Sequence, residues 1–406
     1  MSPRVIPLAD PAREHADLAP EIEAAALRVL RSGRYILGEE VDRFEKDFAR
    51  YAGVSHAIGV SNGTDAIVVA LHALGVGPGD EVVTSAFSYF ATAGAILRVG
   101  ATPVFADIDL ETFNLDPKDV ARKIGPETAA VLAVHLFGRA CDTTALAALC
   151  EAESIPLVED AAQGCGAEHR GRRAGALGRI ACFSFFPAKP LGAAGDAGAC
   201  TTEDAELAAA MRRIRAHGAS RKNVHTDPGS NYRLDPLQAA ILGVKLTRLE
   251  ERIARRRKNA ERLRSLLAPL ASRMVFPADD GDGRHVWAQL TLRVATHARE
   301  GFVAGLAARG VGAEVYYPMI MPRQPVLGAT AGAAASLFTR GAPRGGPWPN
   351  AERAASEVVS VPVHPELSDA DLDLVARALL EVGSDLPPLA DEPLPAPTAA
   401  RPERSA

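Results

Sequence analysis

No apolar run in the 406-residue chain approaches the roughly 18 residues of a membrane-spanning helix; AAVLAVHLFG is short and is broken by His135. The opening residues, polar and interrupted by prolines, do not read as a signal peptide. Five cysteines (Cys141, Cys150, Cys165, Cys182 and Cys200) make no C-x-x-C pair and no Cys/His metal spacing. An odd number without framework spacing fits a reducing cytosol better than a disulfide scaffold. There is no cationic surplus: 45 Lys and Arg stand against 50 Asp and Glu, for a net charge of −5. That balance leaves no basic face for nucleic acid. Internal repeats are missing as well, and so is the G-x-G-x-x-G turn by which a nicotinamide dehydrogenase would hold pyrophosphate. What remains is a globular chain, 47% hydrophobic and 23% charged, long enough for two or three domains and expected in the cytoplasm as an enzyme.

Short β-rich runs stand at residues 54–61, 81–85, 102–108, 129–135, 156–160, 181–186 and 198–202. Between them AIVVALHALGV, TAGAILRVG and TTALAALCEAE repeat at helical spacing. Near-continuous apolar strands alternating with helices predict an α/β protein with a mostly parallel sheet covered on both faces. In such sheets ligands bind beyond the carboxyl ends of the strands. From about Leu246 the pattern changes to a basic amphipathic helix, TRLEERIARRRKNAERLRSLL. A strand at 285–294, a helix at 299–309, a strand at 313–317 and a final helix capped by Ser368, with Asp371 three residues on, are expected to follow. Residues 328–349 read as a Gly/Ala/Pro-rich loop, and the proline-rich end reads as disordered.

Five segments carry candidate chemistry. SNGTDA (61–66) follows a strand and opens a helix: Gly63 allows close backbone approach, and Thr64 can cap the helix while the first amides face an anion. The ordinary alternative is a plain strand-to-helix turn. VEDAAQ (158–163) puts Asp160 at the carboxyl end of a strand, where it is either a helix cap or the partner of a buried cation such as a protonated pyridine nitrogen. SFFPAKPLGAAGDAGA (184–199) sets Lys189 between Pro187 and Pro190 on a rigid apolar loop. Most lysines are solvated surface groups; desolvation there would make this one a nucleophile for a carbonyl, with Ser184 placed to bind a phosphate. In GSNYRLDPLQAAIL, Asn231 and Arg233 precede a helical run and serve at least as its start. In AFSYFATAGAIL, Tyr89 is either core or a ring stacked on a flat cofactor. Together these parts, in this order, describe a pyridoxal phosphate site on a parallel α/β domain.

The segments SGRYILGEEVDRFEKDFARYAG, SNGTDA, DIDLETFNLDP, VEDAAQ, FSFFPAKPLG and NYRLDPLQAAIL closely resemble the DegT/StrS family of nucleotide-sugar aminotransferases, from about residue 5 to residue 382. The resemblance implies the fold type I, aspartate-aminotransferase-like architecture of enzymes dependent on pyridoxal 5'-phosphate. Its parts would be an N-terminal arm (1–20), a large cofactor domain with a mixed, mostly parallel sheet (21–250), a small C-terminal α+β domain (251–384) and a disordered tail (385–406). It implies a homodimer with shared active sites. Lys189 would bind the cofactor covalently and shuttle protons, Asp160 would pair with the ring nitrogen, Gln163 would face the ring oxygen and Tyr89 would stack on the ring. Gly63, Thr64 and Ser184 would hold the phosphate, with Asn231 contributed by the partner. Tyr35, Arg233 and Tyr317 would shape the sugar-nucleotide site.

The implied reaction is transamination of a nucleotide-linked 3-keto or 4-keto deoxysugar or uronic acid by L-glutamate, which leaves as 2-oxoglutarate, in amino-sugar synthesis for a polysaccharide or secondary metabolite. The chain departs from many relatives at Ile320, Met321 and Pro322, where a proline, a leucine and a histidine are common, at Cys165, where histidine is frequent, and at Pro190, where asparagine is frequent. A sugar dehydratase on the same scaffold would carry histidine in place of Lys189. A non-catalytic regulatory protein would have no need of a complete cofactor set.

Overall fold

The structure, a computed structural model, describes residues 5–278, 281–327 and 344–389. Two helices lead: α1 (Pro11–Ser32), started by the Asp10 side chain accepting from Arg13 N and ended by left-handed Gly33, and α2 (Glu39–Ala52). The central sheet then takes β1 (His56–Val60), β2 (Glu81–Ser85), β3 (Thr102–Ala106), β4 (Thr128–Val134) and β5 (Leu157–Asp160). After the short β6 (Glu168–His169) and β7 (Arg172–Arg173) come β8 (Ile180–Ser184) and β9 (Gly198–Thr202). The spatial order of the seven-stranded sheet is β1-β9-β8-β5-β4-β2-β3. Only β9 is reversed: it pairs antiparallel with β1 and β8, while the pairs from β8 across to β3 are parallel. The seven strands fall on the runs expected from sequence, with ends shifted by one or two residues.

Helices α3 (Gly63–Ala73), α4 (Ala91–Arg98) and α7 (Ala205–Ile214) cover one face, where Ile67, Val68 and Met211 pack on Ile58, Leu132 and Val158. The other face is covered in two patches. Helices α5 (Pro117–Lys123) and α6 (Thr143–Ala152) bury Val131 and Ala133, and α2 with α8 (Pro236–Leu246) buries Ala181 and Phe183 under Phe44 and Phe48. Both faces of the strands are thus dry, as their uninterrupted apolar sequences require.

Two minor pairs follow, β10 (Ala219–Arg221) with β11 (Val224–His225), and β12 (Gly283–Arg284) with β6. Helix α9 (Leu249–Leu266) leads into a second core built on the antiparallel pair β13 (Leu290–Arg293) and β14 (Val358–Val361). Helices α10 (Arg299–Ala308), α11 (Pro349–Glu357) and α12 (Asp369–Gly383) accompany this pair, and the core includes Leu292, Phe302, Leu306, Val375 and Leu379. Ser368 and Asp371 form the expected capping box on α12.

Several expectations are corrected. The division at residue 20 falls inside α1, because Pro11 at its first turn favours the helix and Pro20 is accommodated within it. The strand expected at 313–317 is a single bridge between Glu314 and Ser360. Beyond it Tyr316 and Tyr317 pack against an apolar cluster that includes Phe87 and Phe137, just past the carboxyl ends of β2 and β4. Helix α11 and strand β14 were not anticipated. Of the tail, residues 385–389 are ordered: Leu386 is buried, and Leu389 N donates to Ser272 O at 2.7 Å. The tail call for 390–406 and the loop call for 328–343 lie outside the described residues. No helix among the described residues is long and apolar enough to cross a membrane.

Candidate active site

The site forms where β5 ends. Successive side chains of a strand point to opposite faces, so Glu159 and Asp160 part company. Glu159 is wholly buried and accepts from the amides of Gly175 (2.9 Å), Leu177 (2.8 Å) and Gly178 (2.7 Å) and faces His135 Nε2 at 2.9 Å, which ties the following loop to the sheet. Asp160 turns toward the carboxyl edge. Its Oδ2 accepts from Thr92 Oγ1 at 2.8 Å and its Oδ1 from Ala162 N at 3.2 Å. Burial raises the Asp160 carboxyl above its ordinary range, and those two donors and the nearby Lys189 charge act against the rise.

Lys189 stands on the loop that joins β8 to β9. Its amide donates to Phe186 O at 2.8 Å, and Ala193 N donates to Phe185 O at 2.7 Å, so the loop closes tightly around the lysine. Loss of water lowers its ammonium to about 8, and the Asp160 carboxylate pulls in the opposite direction. Near pH 8 a large share of Lys189 is the free base, the form that attacks carbonyls.

The third part is the start of α3. Asn62, not Thr64, is the cap, accepting from Asp65 N at 2.8 Å. The short Asx side chain reaches the third amide of the turn, and Thr64 is left within the first turn, half-buried. A Cβ on Gly63 would lie 2.6 Å from Ser184 Cβ and 3.2 Å from its Oγ. Glycine therefore lets the open amide end of the 11-residue α3 sit directly against the Ser184 hydroxyl, a cradle suited to an anion.

Gln163 accepts from Phe137 N at 2.5 Å and donates to Tyr317 Oη at 3.2 Å. Burial raises the Tyr317 phenol, and its hydrogen bond with Gln163 acts against that rise. The Tyr89 ring lies 6.0 Å from that of Tyr317 and is 63% exposed, so it is not part of the core. The structure thus gathers Lys189, Asp160, Gln163, Tyr317 and Tyr89 at one strand end, with Gly63, Thr64 and Ser184 at the end of β8. Tyr35, Asn231 and Arg233 are placed otherwise. Tyr35 is exposed in the bend after α1, donating to Leu30 O at 2.9 Å. Asn231 is exposed beside Ala216, and half-buried Arg233 bridges Val60 at the end of β1. Among the described residues no hydrogen bond joins these three to Lys189 or Asp160.

Sequence reasoning missed Thr92, the hydroxyl under Asp160, and His135, whose amide donates to Asp160 O at 3.0 Å. Only Thr92 left a signal: it follows Tyr89 by three residues, one helical turn. Ile320 and Met321 are buried in the apolar cluster with Phe87, Met321 N donating to Ala86 O at 2.8 Å, and Pro322 is buried beside them in the chain. Cys165 is buried near Tyr51, and burial pushes its thiol up to about 12. The donor set fits pyridoxal 5'-phosphate: a desolvated amine for the aldehyde, a buried carboxylate for the ring nitrogen, an aromatic platform and a helix-end cradle for the phosphate.

The sequence profile of the DegT/DnrJ/EryC1/StrS aminotransferase family matches residues 16–380. Among relatives, the chain is 43% identical to a pleiotropic regulatory protein of Geobacillus stearothermophilus, covering 93% of this chain and 98% of that protein. It is 42% identical to the UDP-2-acetamido-2-deoxy-3-oxo-D-glucuronate aminotransferase of Pseudomonas aeruginosa, covering 92% and 99%. Its structure superposes on that of S. venezuelae DesV with a TM-score of 0.87 at 39% identity, over 94% of this chain and 99% of that one. The structure of ntda from Bacillus subtilis with bound cofactor PMP matches with a TM-score of 0.84 at 30% identity, over 95% and 86%. The architecture is accordingly the expected fold type I.

Proposed function

Since the chain belongs to the DegT/DnrJ/EryC1/StrS aminotransferase family, whose members depend on pyridoxal phosphate, we propose that it moves an amino group from L-glutamate to the 3-keto carbon of a nucleotide-linked sugar. The observation that carries this reading is a desolvated Lys189 amine within electrostatic reach of the buried Asp160 carboxylate, on a loop that leaves the sheet at Ser184, against which the start of α3 packs. The choice of C3 is supported by the 3-oxo substrate named for the P. aeruginosa relative. A cytoplasmic location belongs to the same proposal.

When bound, pyridoxal phosphate supplies the aldehyde that takes up amines and the ring that draws off the electrons of a deprotonated carbon. Lys189 would hold it covalently, and the free lysine amine would move a proton between the α-carbon of the amino donor and the cofactor side. Asp160, fixed by Thr92 and Ala162, keeps a proton on the ring nitrogen. Gln163, itself held by Phe137 N, would face the ring oxygen, and Tyr89 would stack on the ring. Gly63, Thr64 and Ser184 take the phosphate, joined by Asn231 of the partner subunit in a homodimer with shared sites. Exposed Ile36 (64%) and Phe186 (53%) give such a partner apolar surface to cover. Tyr35, Arg233 and Tyr317 border the sugar nucleotide.

The rival readings are not favoured. A dehydratase would have histidine at position 189. A regulatory role, as in the name of the G. stearothermophilus relative, would leave this machinery idle. The test is purified protein with glutamate against a panel of UDP-, dTDP- and GDP-linked 3-keto and 4-keto sugars. Amine product from a 3-keto sugar is expected, and Lys189→Ala abolishes both turnover and the visible band of the bound cofactor. A parent that binds the cofactor yet aminates nothing, or a Lys189→Ala protein with an unchanged spectrum, refutes the reading.

A further inference from the structure

Helix α8 runs beside the loop that carries Lys189 and holds it at two points. Lys245, near the end of α8, is buried, and its Nζ donates to Gly192 O at 2.7 Å. Two turns earlier, Gln238 accepts from Ala194 N at 2.9 Å. Gly192 has no space for a side chain, since a Cβ there would meet Pro187 O at 2.3 Å. The chain from Pro187 to Gly192 is therefore doubled back on itself, with Lys189 between the two ends.

A buried ammonium requires a counter-charge. Glu14 of α1 provides it at 3.1 Å from Lys245, and its other oxygen lies 3.1 Å from Arg252 of α9. Arg252 pairs in turn with Glu366, which faces His364 Nδ1 at 3.0 Å. Taking so many charges out of water has a desolvation cost that an apolar contact would not incur. What the ammonium adds is a directed bond to one carbonyl of the lysine-bearing loop.

We propose that Lys245 is a positioning residue for the transamination: by fixing the Gly192 carbonyl it sets where the Lys189 amine stands relative to Asp160. This rests on Lys189 being the cofactor-binding amine, so the experiment tests the two separately. Cofactor-free parent, Lys189→Ala, Lys245→Met, Lys245→Arg and Gln238→Leu proteins are mixed with pyridoxal 5'-phosphate. Covalent capture is followed by the rise of the visible band and by borohydride fixation of the label. Labelling of the parent at Lys189, and none in Lys189→Ala, establishes the anchor; a parent unlabelled there overturns that reading and this inference with it. Capture by Lys245→Met is expected to slow about tenfold, with kcat lowered in proportion and KM for glutamate within about twofold of the parent. Lys245→Arg restores most of the rate, and Gln238→Leu, which strands no buried charge, slows capture less. Parental capture rates in both Lys245→Met and Gln238→Leu overturn the inference while leaving Lys189 as the anchor. Slowing that Lys245→Arg does not restore, or that accompanies loss of near-ultraviolet circular dichroism while Gln238→Leu stays parental, overturns it as well.

Discussion

Lys189 titrates as it does because two opposed effects fall on one atom. Removal of water disfavours the ammonium and lowers it to about 8, and the Asp160 carboxylate favours the ammonium and limits the fall. Asp160→Asn removes the favourable charge and keeps the burial, so the midpoint of Lys189 in cofactor-free protein moves below about 8. Amine labelling of Lys189 across pH, read by mass spectrometry, measures it; a midpoint that stays or rises contradicts the account. At this scale the sequence was half legible. Asp160 and Lys189 could be named because a strand end and a proline-flanked apolar loop are local signals. Thr92 left no more than its spacing from Tyr89, because the carboxylate it serves is 68 residues away. Lys245 and Glu14 were hidden for the same reason: their partners lie 53 and 231 positions distant along the chain.

At the level of elements, the close approach of α3 to β8 is the joint on which the anion cradle depends. Gly63→Ala drives a Cβ to 2.6 Å from that of Ser184, closer than van der Waals contact allows, so the helix start must withdraw. Overpacking of this kind typically costs about 1–3 kcal/mol. The affinity for pyridoxal 5'-phosphate is expected to fall by about tenfold or more by absorbance titration, and a variant with parental affinity would refute the cradle. The sheet was readable in advance because its strands are dry on both faces and therefore continuously apolar. Helix α11 escaped notice because its first residue, Pro349, closes a proline- and glycine-rich stretch that reads as loop. Strand β14, only four residues long, has its VVSV pattern directly abutting that helix, with no turn residue to mark the border. The arm drawn to residue 20 came from the resemblance, whereas the helix itself starts at Pro11 and runs through Pro20 to Ser32.

For the molecule as a whole, the proposed sharing of sites between subunits makes a prediction that no single chain can satisfy. Lys189→Ala and Asn231→Ala damage the same site from opposite subunits. After subunit exchange, half of the dimers are mixed, and each mixed dimer holds one intact site and one doubly damaged site. Activity should therefore recover to about a quarter of the parental level. If the mixture stays at the average of the two variants measured alone, Asn231 serves its own chain or none.

The strand pair β8 and β9 also bears on how such a protein diverges. The lysine-bearing loop leaves the sheet at Ser184 and re-enters at Gly198, and these two residues face each other across the reversed pair. The pairing fixes both ends of the span, so a residue gained or lost within it would move Lys189 against Asp160 while leaving the sheet unchanged.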